Sequence, residues 1–141
     1  MSAPALSLTL TNDLSELARI AGEIEAYGAS HGWPARWITN LNISLDELIT
    51  NIVSYGYEDS DEHEIRLTLT DRDGSLVAIL EDDGIAFDPF TAAPKPDLDA
   101  SVEDRRIGGL GVYFVRTLMD AVTYERIDNL NRVTLVQQSA K

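Results

Sequence analysis

Residues 41–57 read LNISLDELITNIVSYGY, and the pattern of this segment decides the fold that we predict. Small and apolar side chains recur every three or four residues, which is the period of one helical face. These residues are Leu41, Ser44, Leu45, Leu48, Ile52 and Tyr55. Glu47 and Asn51 lie one helical turn apart beside that face. The segment therefore predicts a largely buried helix that carries a carboxylate and an amide next to the core.

The Glu47 and Asn51 pair has two interpretations. On a half-exposed helix face Glu47 would simply be solvated and Asn51 would bond a neighbour, as is common for polar surface residues. The functional interpretation is a magnesium site, because Mg²⁺ prefers oxygen ligands and an Asn oxygen with phosphate oxygens supplies them. Glu47 would then orient or deprotonate the attacking group. Asp46 is a competing carboxylate, but it points about 100° away around the helix.

The composition is that of one globular domain. Hydrophobic residues make up 44% of the 141 residues and charged residues 25%, and there is no cysteine. We therefore expect a single domain over residues 1–141 without disulfides or thiolate metal sites. No stretch approaches the roughly 20 apolar residues of a membrane span, and we expect a cytoplasmic protein. The net charge of −13 opposes direct binding to nucleic acid or to a membrane.

The order of the remaining elements indicates an α+β fold. The predicted elements are strand 6–11, helix 14–28, helix 34–57, strands 65–70 and 76–80, a third helix after residue 110, and two strands around 122–124 and 133–136. Residues 71–74 and 128–131 are predicted turns, and residues 137–141 a frayed tail. This order predicts a two-layer sandwich, in which a mixed, mainly antiparallel sheet carries about three helices on one face.

A second polar segment, EDDGIAFDP at residues 81–89, follows an apolar strand. One interpretation is a plain polar turn with Gly84 at positive φ. The other is a binding site for a flat ring. Asp82 would accept a hydrogen bond from an exocyclic amine, and Gly84 would let the ring approach the backbone. Ala86 and Phe87 would wall that pocket.

A third segment, RRIGGLG at residues 105–111, leads into the third predicted helix. It is either a flexible hinge or a phosphate cradle, in which bare amides, a helix N-terminus and two arginines face an anion. The candidate residues are Arg105, Arg106, Gly108, Gly109, Leu110 and Gly111. It is not a Walker A loop, because no Gly-Lys-Ser or Gly-Lys-Thr follows. The preceding residues, about 89–107, have the length of a functional lid.

These three motifs occur in one order along nearly the whole chain. Glu47 with Asn51, the segment from Asp82 to Asp88, and the glycines at 108–111 resemble the N, G1 and G2 boxes of the Bergerat-fold (GHKL, histidine kinase-like) ATPases. The small size and the phrases DELITNIVSYGY and GGLGVYFVRTLMDAVTYER are similar to the anti-sigma factor serine/threonine-protein kinases. The resemblance implies ATP and Mg²⁺ as cofactors, a STAS-type anti-anti-sigma protein as phosphorylation substrate, a sigma factor as second partner, and a possible homodimer.

The resemblance also implies roles for individual residues. Asn51 would hold Mg²⁺, Glu47 would be the catalytic base and Asp82 would bind the adenine amino group. The glycines that would line the nucleotide are Gly84, Gly109 and Gly111. Ala86 stands where superfamily members commonly have glycine, and it adds one methyl group there.

Two other functions fit parts of the sequence. A non-catalytic, nucleotide-gated module that sequesters a regulator would share the fold but would not need Glu47. The ATP-binding domain of a sensor histidine kinase fits less well, since neither His31 nor His63 lies on a helix suited to phosphorylation. We therefore predict the ATP-dependent kinase of the anti-sigma type.

Overall fold

The computed structural model describes residues 6–59, 61–72, 74–92 and 115–138. Five strands, three helices and one further helical segment are present in these ranges. In chain order they are β1 Leu6–Thr11, α1 Glu16–Ser30, α2 Ala35–Tyr55, β2 Glu64–Arg72, β3 Ser75–Asp82, α3 Pro89–Ala92, β4 Ala121–Ile127 and β5 Leu130–Gln138. Residues 115–118 are also helical, at the end of the third helix expected from the sequence. The predicted α+β fold is confirmed.

The five strands form one sheet in the order β1-β2-β3-β5-β4, and all four neighbouring pairs are antiparallel. Directly opposed residues of an antiparallel sheet share a face. One such row crosses the whole sheet: Leu10, Ile65, Asp82, Asn131 and Arg126. The row begins with buried apolar residues and continues with polar ones, so it marks where the core ends and a polar site begins.

The core lies between the sheet and the two long helices. On β3, Leu76, Ala78 and Leu80 are almost fully buried, whereas the alternate side chains are only half-buried. The helices contribute apolar residues at helical spacing: Ile20, Ile24, Trp37, Leu41, Leu45, Leu48 and Ile49. Covering one sheet face with two amphipathic helices is the arrangement that this pattern predicts.

A short connection fixes α2 against α1. Gly32 has a φ of 70°, and Trp33 N–H donates to the Gly28 carbonyl at 2.9 Å, which turns the chain back. Gly28 itself is in close contact with α2, because a Cβ there would lie 2.8 Å from Ile38 Cδ1 and from Trp33 Cε3. The two helices therefore approach closely, and α2 begins directly after Pro34.

Four local predictions were wrong, the first being the turn at residues 71–74, because β2 continues through Arg72. Tyr55 is 60% exposed although its spacing places it on the apolar face, because the last turn of α2 borders an open cleft. Gln137 is not in a frayed tail: it is buried in β5, and its Nε2 donates to the Trp37 carbonyl at 2.9 Å. The second hairpin turn is only Asp128 and Asn129, with φ of 51° and 66°, so Asn131 belongs to β5.

Of the predicted lid, only residues 89–92 belong to the part of the chain that the structure describes, and they form α3. Residues 93–107 lie outside it. Within the described ranges, no helix has both the length and the apolar character needed to cross a membrane.

Candidate functional site

A cleft lies between the C-terminal half of α2 and the neighbouring ends of β3 and β5, and its space of about 430 Å³ includes open solvent. Its apolar walls are Leu48, Ile52, Leu80, Ile85, Phe87 and Val133, and its polar groups include Asn51, Asp82 and Asn131. Apolar walls with a few convergent polar groups suit a flat heteroaromatic ring.

The predicted helical pair lies on α2 beside this cleft. Asn51 lines the cleft and is half-buried. Glu47 is one turn earlier and half-buried, and its Oε2 is buried without a hydrogen-bond partner among the described residues. Burial raises the pKa of Glu47, and the negative charge of the exposed Asp46 raises it further. An orphaned carboxylate oxygen at this position is suited to accept a proton from a ligand or substrate.

Asp82 ends β3 and is 5% exposed. Its Oδ2 accepts hydrogen bonds from Gly84 N–H at 2.9 Å and from Asn131 Nδ2 at 3.1 Å. Burial raises the pKa of Asp82, whereas these two hydrogen bonds act in the opposite direction. Both bonds reach Oδ2, so Oδ1 is the oxygen that can accept a hydrogen bond from a bound ligand.

The loop after Asp82 packs against the end of α2. Ile85 N–H donates to the Gly56 carbonyl at 2.8 Å, and a Cβ on Gly84 would lie 2.4 Å from that carbonyl oxygen. Only glycine fits there without displacing the backbone. Phe87 lines the cleft and is 38% exposed, while Ala86 is exposed beside it.

Asn131 is a residue of the site that the sequence pattern did not predict. It is buried, faces Asp82 across the β3–β5 pair, and lines the cleft. The available signal was the alternation of Asn131 with Val133 and Leu135, which places all three on one face of a strand. A turn-like composition around Asp128 and Asn129 concealed that signal.

The third motif falls outside the described residues: Arg105, Arg106, Gly108, Gly109, Leu110 and Gly111. Their roles stay predictions. No group of three or more His, Asp or Glu side chains in the described ranges is arranged to hold a metal ion. The predicted Mg²⁺ ligand Asn51 lines the cleft, and an amide oxygen there suits an ion that is commonly bound through few protein ligands and substrate phosphates.

Comparison with known proteins identifies the family. Residues 10–137 match the family described as "Histidine kinase-like ATPase domain". The chain is 34% identical over 138 residues to the serine/threonine-protein kinase BtrW of Bordetella bronchiseptica, and this match covers 95% of the chain and 96% of that protein. It is 32% identical over 107 residues to the serine-protein kinase RsbW of Bacillus subtilis, which covers 70% of the chain and 61% of that protein.

A solved structure supports the fold independently. The crystal structure of the RsbU and RsbW domains of a Mycobacterium tuberculosis protein superposes with a TM-score of 0.63. It covers 94% of this chain and 31% of that one, at 14% identity. The chain therefore belongs to the histidine kinase-like ATPase domain family, in the group of serine/threonine-protein kinases that includes BtrW and RsbW.

Proposed function

We propose that this protein is an ATP-dependent serine/threonine kinase of the anti-sigma type, which phosphorylates a STAS-type anti-anti-sigma partner and sequesters a sigma factor. The observation that carries this proposal is the buried Oε2 of Glu47, which has no hydrogen-bond partner among the described residues and lies one helical turn before Asn51, a residue that lines the cleft. Family membership supports the ATP-dependent reaction. We extend the proposal to a cytoplasmic single domain with a lid over about residues 89–107, and to homodimerisation.

The cleft has two ends with different chemistry. Asp82 lies at the end suited to adenine, because a carboxylate can accept a hydrogen bond from the exocyclic amine, and Gly84 lets the loop after Asp82 pack directly against the Gly56 carbonyl. Leu48, Ile52 and Phe87 line the walls against which the ring would pack. Asn51 would hold Mg²⁺, which when bound neutralises charge on the phosphates.

Glu47 would act as the catalytic base. In the transfer step, the oxygen of the partner's Ser or Thr forms a bond to the γ-phosphorus while the bond to the bridging β–γ oxygen breaks. The hydroxyl proton passes to the Glu47 carboxylate, and ADP leaves. A raised pKa makes Glu47 a better proton acceptor near neutral pH than an ordinary, solvated glutamate.

The decisive experiment compares two neighbouring carboxylates. Glu47→Gln, Asp46→Asn and wild type are mixed with radiolabelled Mg-ATP and a STAS-type protein from the same organism, and ATP affinity is measured by calorimetry. We expect Glu47→Gln to bind ATP normally but to lose transfer by about a hundredfold or more. Asp46→Asn should keep the ATP affinity and the transfer rate within about twofold of wild type, because the Asp46 side chain is exposed. Asp82→Ala should lose ATP binding.

Two results would contradict the proposal in different ways. Wild-type transfer by Glu47→Gln would remove Glu47 from the reaction. A wild-type protein that binds ATP and a sigma factor but labels no STAS-type protein would instead be a nucleotide-gated binding module.

A further inference from the structure

The side chain of Asn131 uses its full hydrogen-bonding capacity on the adenine end of the cleft. Its Nδ2 donates to Asp82 Oδ2 at 3.1 Å and to the Ile85 carbonyl at 2.7 Å. Its Oδ1 accepts from Tyr124 OH at 2.5 Å and from Phe87 N–H at 3.3 Å. A side-chain amide has two N–H donors and two acceptor lone pairs, so these four bonds fix its orientation.

This arrangement determines which oxygen of Asp82 faces a ligand. Oδ2 already accepts from Gly84 N–H as well as from Asn131. Rotation of the carboxylate would break both bonds in a nearly fully buried site, where an unpaired polar atom is costly. The bonds therefore hold Oδ1 as the remaining acceptor.

The β4–β5 hairpin also holds the loop that follows Asp82. Arg126 Nη1 donates to the Gly84 carbonyl at 2.8 Å, while Asn131 bonds the Ile85 carbonyl and Phe87 N–H. Three backbone groups of residues 84–87 are thus hydrogen-bonded to the β4–β5 hairpin. If Asn131 is truncated, the bond from Arg126 and the bond between Ile85 and Gly56 still hold the loop.

We propose that Asn131 is the positioning residue for adenine recognition: it saturates Asp82 Oδ2, directs Oδ1 towards the exocyclic amine, and so makes the site prefer ATP to a purine nucleotide without that amine. Tyr124 supports this role by bonding Asn131 Oδ1. The role of Asn131 rests on the proposed function, in which Asp82 binds the adenine amino group.

The test measures a ratio of affinities. Mg-ATP and the Mg complex of purine riboside 5′-triphosphate, which lacks the 6-amino group, are titrated into wild type, Asn131→Ala, Tyr124→Phe and Thr134→Ala. Thr134 lies on the same strand but on its other face, and serves as the matched control. We expect wild type to prefer ATP by about tenfold or more, as for one hydrogen bond to a buried charged group.

Asn131→Ala should reduce this preference to about twofold, and it should do so by weakening ATP binding while the analogue binds nearly as before. Tyr124→Phe should reduce the preference by a smaller factor, about two- to threefold, because it removes one of the four bonds. Thr134→Ala should keep the wild-type ratio. Circular dichroism and thermal melting establish that each variant is folded.

Two outcomes in folded Asn131→Ala overturn the role of Asn131. The first is an unchanged ratio of the ATP and analogue affinities. The second is an equal loss of both affinities, which would indicate a purely structural effect. If Asn131→Ala does not fold, an unchanged ratio in Tyr124→Phe overturns it. A wild-type protein that binds both nucleotides equally well refutes the inference but not ATP binding, whereas one that binds neither refutes the proposed function itself.

Discussion

The backbone N–H of Ile85 donates a hydrogen bond to the carbonyl oxygen of Gly56, with an N···O distance of 2.8 Å. Gly56 ends α2, the helix that carries Glu47 and Asn51, and Ile85 belongs to the loop after Asp82. This bond therefore fixes the proposed catalytic side of the cleft relative to its proposed adenine side. Changes at this junction should affect both ligand binding and stability.

Gly84→Ala should weaken ATP binding and destabilise the fold. Its new Cβ would lie 2.4 Å from the Gly56 oxygen and 2.9 Å from Asp82 Oδ2, and the backbone carbonyl cannot move away without breaking the junction. We expect a loss of about 1–3 kcal/mol of unfolding free energy in denaturant titrations. Gly22→Ala is the control, because a Cβ there has open space on α1 and should stabilise the helix by about 0.5–1 kcal/mol. Equal stability of the two variants would refute the steric explanation.

Ser44→Ala should stabilise the protein. Ser44 is fully buried on α2, and its Oγ has no hydrogen-bond partner in the described part of the chain. Removing a buried, unsatisfied hydroxyl should raise the unfolding free energy by about 1 kcal/mol. Ser54 lies on the same helix and is exposed, so Ser54→Ala reports the effect of helix propensity alone. If Ser44→Ala gains no more than Ser54→Ala, the hydroxyl is satisfied in solution.

His63 should make stability depend on pH. Its Nε2 lies 2.7 Å from Asp59 Oδ1 and its Nδ1 lies 3.4 Å from Asp83 Oδ1, while its ring stacks on Tyr57. The hydrogen bond to Asp59 is the main reason that the pKa of His63 is raised. The folded state therefore binds this proton more tightly than the unfolded state. The resulting stability is fully present below the unfolded pKa of about 6.5 and is lost as pH rises through the folded pKa.

Thermal melting of wild type and His63→Gln checks this dependence. The melting temperature of wild type should exceed that of the variant by a larger margin at about pH 5.5 than at about pH 8.5. Asp59→Asn should lower the pKa of His63 measured by NMR, because it removes the main acceptor. If the difference in melting temperature between wild type and His63→Gln grew as pH rises, the proton on His63 could not be what stabilises the folded state.

The phosphotransfer rate should fall at acidic pH as Glu47 becomes protonated. Its pKa is raised first by burial and second by the charge of Asp46. Asp46→Asn removes the second cause, so the acidic limb of the pH–rate profile should move to lower pH while the plateau stays unchanged. Single-turnover rates measured across the pH range test this expectation. An unmoved limb would mean that another group controls the ionisation seen in the profile.

The sequence predicts α2 well because its signals are local. Pro34 and a recurring apolar spacing define its start and most of its buried face, whereas the exposed Tyr55 departs from the pattern. The apolar run at residues 76–80 similarly predicts β3. Both elements can be predicted from residues within the segment itself, without knowing what packs against it.

Asn131 and Gln137 could not be assigned in the same way. Each is polar and near a chain turn or chain end, so composition favours exposure. Their burial depends on partners 49 and 100 residues away, namely Asp82 and Trp37. Asp82 reaches Asn131 only through the pairing of β3 with β5, and Trp37 reaches Gln137 only when α2 packs on the sheet. The repeat of apolar residues within one segment does not show which distant segments will pair.

The two-residue turn at Asp128 and Asn129 has a consequence for the evolution of this site. Both residues adopt positive φ, as the tightest antiparallel hairpins require, and this sets which residues of β5 oppose β4. A shift of one residue in this pairing would turn Asn131 to the outer face and bring Leu130 or Arg132 inward. The length of a surface turn that lines no part of the cleft thus limits how the proposed nucleotide site can change in evolution.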